Sequence, residues 1–231
     1  MTTVSPPAPR PSLARSLIGM KVIMAVTGVI LFLFVVGHLV GNLKVYQGAA
    51  HFNAYAEGLR TVGAPFFGRG QLLWAIRVAL LAALAGHLWA ALVVTRASWR
   101  ARPIGYHQLT PAETTYAARS MRWGGVLILA YVVNHLLDLS FGPANPSFVA
   151  GDAYHNLVAS LARWPVATAY GVAMLAVGLH IYHGLWSAGQ TLGLNRPPTS
   201  GWRRGIAALI AGLVTAGYLS IPVAVLSGLV R

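Results

Sequence analysis

Five of the eight histidines stand inside long apolar stretches: His38, His87, His135, His180 and His183. An ionisable group is costly inside a bilayer, so each is by default a mark of function. A single imidazole could serve as a plain interhelical hydrogen-bond donor. At least one on each of four consecutive stretches asks for a shared purpose. The chain has no Cys. Disulfides, Cys-ligated zinc, iron–sulfur ligation, thiol catalysis and covalent c-type haem attachment are therefore excluded within it. Zinc wants four ligands in a tetrahedron, and a pair of imidazoles leaves that shell incomplete. A proton relay wants interspersed carboxylates, and Asp138 is the single acid within these stretches. Two imidazoles facing each other across a helical bundle suit the two axial positions of haem iron. Two such six-coordinate haems leave no open site for oxygen chemistry, which points to electron transfer.

The elements that must position these side chains follow from hydropathy. The 231 residues are 56% hydrophobic and only 9% charged, against about a quarter charged in a soluble domain. An ordinary soluble enzyme and a disordered chain are both excluded. A spanning helix needs about 20 apolar residues, and five stretches qualify: 17–40, 71–95, 123–141, 166–188 and 206–229. They are continuously apolar and lack the period-2 alternation of a membrane barrel. The expected fold is an all-α integral membrane protein with five transmembrane helices, the first four forming a haem-binding bundle. Residues 1–16, Pro-rich and basic, read as a disordered cytoplasmic arm, and 17–231 as a single transmembrane domain. The first apolar stretch is too long for a signal-peptide core.

The net charge of +13 would suggest nucleic acid in a soluble protein. In an apolar chain it marks cytoplasmic loops and anionic lipid headgroups, with no need for nucleic acid. Eleven Lys and Arg fall on the side of the N-terminus and five on the other, with Arg77 inside the second span. This sets the N-terminus inside and the C-terminus outside. The outer loops, 41–70 and 142–165, are apolar enough for short interfacial helices at HFNAYAEGLR and DAYHNLVASLAR. The inner loops, 96–121 and 189–205, are basic. They serve either as topological anchors or as docking surfaces.

Helix direction alternates, so depth can be counted from the inner edge. His38 follows Lys21 by 17 residues, about 26 Å at about 1.5 Å per residue. His135 follows Arg122 by 13 residues, about 20 Å. His87 precedes Arg96 by 9 residues and His180 precedes Gln190 by 10, about 14 and about 15 Å. His38 and His135 share an outer level; His87 and His180 share an inner one. The spacing does not separate His180 from His183, which differ by about 4.5 Å. Gly37, Gly41, Gly86, Gly178 and Gly184 lie near these histidines and could leave room for a flat macrocycle. Each also fits ordinary close helix packing.

These strings resemble a family. K-x-x-M-A-x-T-G (Lys21 to Gly28), H-L-V-G-N-L (His38 to Leu43), N-x-Y-A-x-x-L-R (Asn53 to Arg60), A-R-P-x-G-Y (Ala101 to Tyr106) and H-x-x-H-G-L-W-S-x-x-Q-T-L-G-L-N (His180 to Asn195) carry the resemblance. It covers nearly the whole chain. They are similar to the di-haem, five-helix cytochrome b membrane-anchor subunit of succinate dehydrogenase and fumarate reductase, the succinate:quinone oxidoreductases of respiratory complex II. The resemblance implies two haem b groups. Its axial ligands fall on His38 and His135 for the distal haem, and on His87 and His180 for the proximal one. The family ligand precedes the Gly of G-x-W-S by four, which selects His180. His183 becomes the alternative ligand or a partner to a propionate or a neighbouring helix. The resemblance also implies a flavoprotein subunit, an iron–sulfur subunit docked on the cytoplasmic face, a bacterial cytoplasmic membrane, and a quinone, with menaquinone the type this family often uses. Succinate chemistry belongs to the partners.

Quinone chemistry needs a proton carrier near the ring. The acids near the outer level are Glu57, Asp138 and Asp152; Glu57 is the first candidate and Asp138 the second. Glu57 equally suits a solvated pair with Arg60. Some fumarate-reductase relatives carry Glu two residues before the span-four ligand. Gly178 stands there in this chain, a departure from that pattern, so the resemblance does not carry that proton path over. Two other readings remain open: a di-haem cytochrome b subunit of a membrane hydrogenase or formate dehydrogenase, and a haem-free membrane anchor. His51, His107 and His155 fall in loops and receive no role.

Overall fold

The computed structural model describes residues 16–101, 116–194 and 200–231. The expected arm lies outside them except for Ser16, as do His107, Arg102, Arg196 and much of both basic loops. Every regular element is helical, and no strand occurs among the described residues. Five helices are long and apolar enough to cross a membrane, so the chain is a multi-pass membrane protein. They are α1 (Leu17–Asn42), α3 (Gln71–Arg100), α4 (Tyr116–His135), α6 (Trp164–Thr191) and α7 (Ser200–Leu226). Two short helices lie between them, α2 (Ala49–Thr61) and α5 (Ala153–Leu161). These are the HFNAYAEGLR and DAYHNLVASLAR segments.

Helix ends run past the apolar runs that predicted them. The α3 helix continues five residues beyond Thr95, to Arg100, because Arg96, Ala97 and Arg100 are good helix formers with no Gly or Pro to stop them. Ser16 opens α1 by accepting the Gly19 backbone N–H at 3.0 Å, the expected use of a hydroxyl at an N-cap. Pro165 sits in the first turn of α6, where its missing N–H is not needed. The end of α4 departs from expectation. Residues Leu136–Ser140 form a single π-helical turn, and such turns gather at functional sites.

The α1 helix packs on α3 and α6, α4 packs on α6, and α7 packs on α6 and α1. The best-packed core lies at one end of this bundle, under α2 and α5. There Val45, Phe52, Leu157, Leu161, Tyr170, Ile221 and Val225 form one buried cluster. Polar staples fix the two short helices to each other. The Asn53 amide donates to Asp152 at 2.9 Å and its oxygen accepts the Tyr154 N–H at 2.9 Å. Asp152 also caps α5 by accepting the His155 N–H at 2.9 Å. That backbone bond, and then the Asn53 amide, hold the Asp152 carboxyl below its ordinary range. We call this the capped end and the opposite one the open end.

The fifth spanning helix is part of the bundle wall. Gly178 on α6 meets Thr215 on α7 so closely that a Cβ there would collide with the hydroxyl. A Glu side chain at this position would meet the same hydroxyl. Gly178→Ala is expected to cost about 1–3 kcal/mol through overpacking, and Thr215→Ala in the same background is expected to restore the loss. Unfolding by SDS in mixed micelles measures both. A Gly178→Ala curve that overlays the parent would mean that α7 does not close on α6 there.

Candidate functional site

Each histidine pair joins two helices that stand apart. The His38 ring on α1 faces the His135 ring at the end of α4, with centroids 5.9 Å apart and planes at 86°. The His87 ring on α3 faces the His180 ring on α6, at 6.2 Å and 60°. Neither α1 with α4 nor α3 with α6 makes an extended packing contact among the described residues. No hydrogen bond joins the rings of either pair among those residues. The Nδ1 atoms of His135 and His180 are buried without a partner. Buried polar atoms in that condition are rare and ask for an explanation.

The spacing of the rings is a separate observation. Two metal–imidazole bonds of about 2 Å, plus about 1.1 Å from each nitrogen to its ring centre, separate two centroids by about 6 Å. Both pairs stand close to that figure. The His87 ring is also held in the state a metal requires. Its Nδ1 lies 3.1 Å from the Met24 carbonyl and 3.3 Å from the Thr27 hydroxyl. A carbonyl only accepts, so Nδ1 carries the proton and Nε2 keeps its lone pair free. The Thr27 hydroxyl donates in turn to the Ile23 carbonyl at 2.7 Å.

The glycines divide into two groups. A Cβ at Gly37 or Gly184 would meet nothing within 4 Å, so these two leave open space beside His38 and His183. A Cβ at Gly28 would stand 3.2 Å from the His87 ring, and one at Gly125 would stand 3.8 Å from the His180 ring. Gly41, Gly86 and Gly178 do something else. A Cβ at Gly41 or Gly178 would strike Tyr55 or Thr215, so these two admit close helix packing, and one at Gly86 would meet Thr27 at ordinary contact distance. Paired imidazoles at this spacing, with open backbone beside them, fit a planar metallo-cofactor. Among the described residues no group of three or more His, Cys, Asp or Glu could form a metal cluster.

His183 is half-buried one turn beyond His180, and its ring faces no other ring among the described contacts. The ring opposite His87 is that of His180.

The pair nearer the capped end lies in an aromatic cage. Phe34 stacks on His38 at 5.2 Å and 16°, and Tyr218 of α7 lies 6.5 Å from the same ring. Tyr131 and Tyr170 flank His135 at 5.7 and 6.1 Å. These tyrosines were not singled out from the sequence. The available signal was a hydroxyl within an apolar span, since a buried Tyr O–H needs an acceptor. Tyr218 donates to the Val35 carbonyl at 2.8 Å, and Tyr170 donates to Asp138 at 2.8 Å.

Asp138 is 1% exposed. Beyond the Tyr170 bond, its carboxylate accepts from the Ser160 hydroxyl at 2.5 Å and from Arg163 at 3.1 Å. Glu57 lies elsewhere. It sits half-exposed on α2, paired with Arg60 at 2.9 Å and with Arg69, and among the described residues no hydrogen bond or ion pair joins it to either imidazole pair. His51 is exposed on α2, and the His155 Nε2 donates to the Ser147 carbonyl at 2.9 Å. At the open end, Arg122 lies over Trp99 at 5.5 Å and Arg204 over Trp186 at 4.5 Å.

Comparison with family models, curated proteins and solved structures finds no match. The functional reading rests on the residues and their geometry.

Proposed function

We propose that this chain is a di-haem cytochrome b membrane subunit of a succinate:quinone oxidoreductase. It would pass electrons between a cytoplasmic iron–sulfur subunit and membrane quinone. The observation that carries the reading is the pair of facing imidazoles at each of two levels, 5.9 and 6.2 Å apart. His87 and His180 hold the proximal haem b, and His38 with His135 the distal one. When bound, each haem supplies one-electron transfer between bis-imidazole-ligated redox states. The chain's own residues orient the ligands. Met24 fixes the His87 tautomer, and Tyr131, Tyr170, Phe34 and Tyr218 pack the distal rings. The motif strings around Lys21, His38 and His180 support the choice of family.

On this reading the open end faces the cytoplasm of a bacterium. Its Arg96, Arg100, Arg122, Arg203 and Arg204 meet the iron–sulfur subunit, which the flavoprotein covers. Quinone, of the menaquinone type, would react near the distal level; of the two candidate proton carriers, Asp138 adjoins that level, while Glu57 on α2 is paired with Arg60 and Arg69.

The purified chain is expected to give two haem b per polypeptide in a pyridine haemochrome assay. One haem, or none, would sink the di-haem reading. A hydrogenase or formate dehydrogenase partner co-purifying in place of a flavoprotein with succinate activity would leave the haems and remove the assignment to this enzyme.

A further inference from the structure

A buried ion pair stands beside the distal histidines and has no evident part in ligation. Asp138 lies three residues beyond His135, on the π-helical turn that ends α4. Its partner, Arg163, comes from the N-cap position of α6. The guanidinium is about a third exposed while the carboxylate is almost wholly buried. Burying a carboxylate is expensive unless it is paired and hydrogen-bonded. Here Ser160, Tyr170 and Arg163 all donate to it. Tyr170 then carries the arrangement to the site. Its hydroxyl is held by Asp138, and its ring packs edge-on against Tyr131 at 5.1 Å and flanks His135 at 6.1 Å. A merely structural anchor for α5 could have been apolar, as replacements of buried pairs elsewhere show.

Resting on the di-haem reading, we propose that Asp138 and Arg163 are positioning residues for the distal centre: through Tyr170 they fix the His135 ring, and their opposed charges set that centre's reduction potential. An oxidised haem carries one more positive charge than a reduced one. Asp138 therefore favours the oxidised state and Arg163 the reduced state, and the pair holds the two influences in balance. Charge interactions weaken with distance, so the pair acts most on the centre beside it. His87 and His180 lie a level away.

The test is a spectroelectrochemical titration of the purified complex, with haem content measured on the same samples. Asp138→Asn keeps the shape and removes the negative charge; the distal potential is expected to rise. Arg163→Gln is expected to lower it, and Arg163→Lys to keep it near the parent value. The proximal component is expected to move less throughout. The inference is overturned if both substitutions move the distal potential the same way, if either leaves it unchanged, or if the proximal component moves equally. Should Asp138→Asn fail to assemble, the Arg163 pair of variants carries the test alone, since Lys and Gln differ mainly in charge. A parent protein with fewer than two haems would instead remove the reading on which the inference rests.

Discussion

Replacing His87 with Ala is expected to remove one of two haem b components from the purified protein, and replacing His180 with Ala to remove the same one. His38→Ala and His135→Ala are expected to remove the other. His183→Ala is expected to leave both. The argument is geometric. The His87 and His180 rings face each other across helices that make no extended packing contact among the described residues, so the loss of either would leave a haem held there with one of its two axial imidazoles. The Met24 carbonyl fixes the His87 Nδ1 proton, so the single nitrogen left for a metal is Nε2. Low-temperature difference spectra separate two components by their α-bands. If His87→Ala and His180→Ala bleached different bands, the pairing would be wrong. If His183→Ala matched His180→Ala, the ligand would be misassigned by one turn.

The second large effect is on stability. Asp138→Ala strands three donors, on Ser160, Tyr170 and Arg163, in the best-packed part of the molecule. Breaking a buried ion pair costs about 3–5 kcal/mol. The low end, about 3 kcal/mol, applies here because the Arg163 side chain is 35% exposed and can turn to water. The double replacement Asp138→Leu with Arg163→Met is expected to recover part of that loss, since an apolar pair of similar volume needs no desolvation. Equilibrium unfolding in mixed micelles gives both values. A curve for Asp138→Ala coincident with the parent would mean that water reaches the carboxylate and that the pair is not buried in solution.

Much of this architecture could be read from the residues. The five spans were legible because each is a run of about 20 apolar residues, which no soluble element requires. The α2 and α5 helices were legible as amphipathic segments between spans. The grouping of His38 with His135 and of His87 with His180 came from helix rise alone, and the rings face each other in those same combinations. What could not be read depends on rotation about each helix axis, which rise does not give. Arg163 looked like one more outer cation, yet its guanidinium turns inward to Asp138. Tyr218 belongs to the fifth span, which was left out of the expected bundle, yet it lies against His38. The glycines were alike as letters and differ in what faces them. Gly37 and Gly184 look onto open space, while Gly41 and Gly178 look onto side chains of neighbouring helices. The π-helical turn at Leu136–Ser140 has no composition signal.

Two of the spanning helices are also longer than a membrane needs. The α3 helix has 30 residues and α6 has 28, about 45 and about 42 Å at the α-helical rise. A hydrocarbon core is about 30 Å thick. The surplus amounts to two or more turns per helix, and its ends carry Trp74, Trp99, Trp164, Arg96 and Arg100, residue types that settle at the headgroup level. A bundle with that much slack can meet a thinner or thicker bilayer by changing its tilt. Its imidazole levels, fixed by contacts between helices, need not move when the lipid composition of the host membrane does.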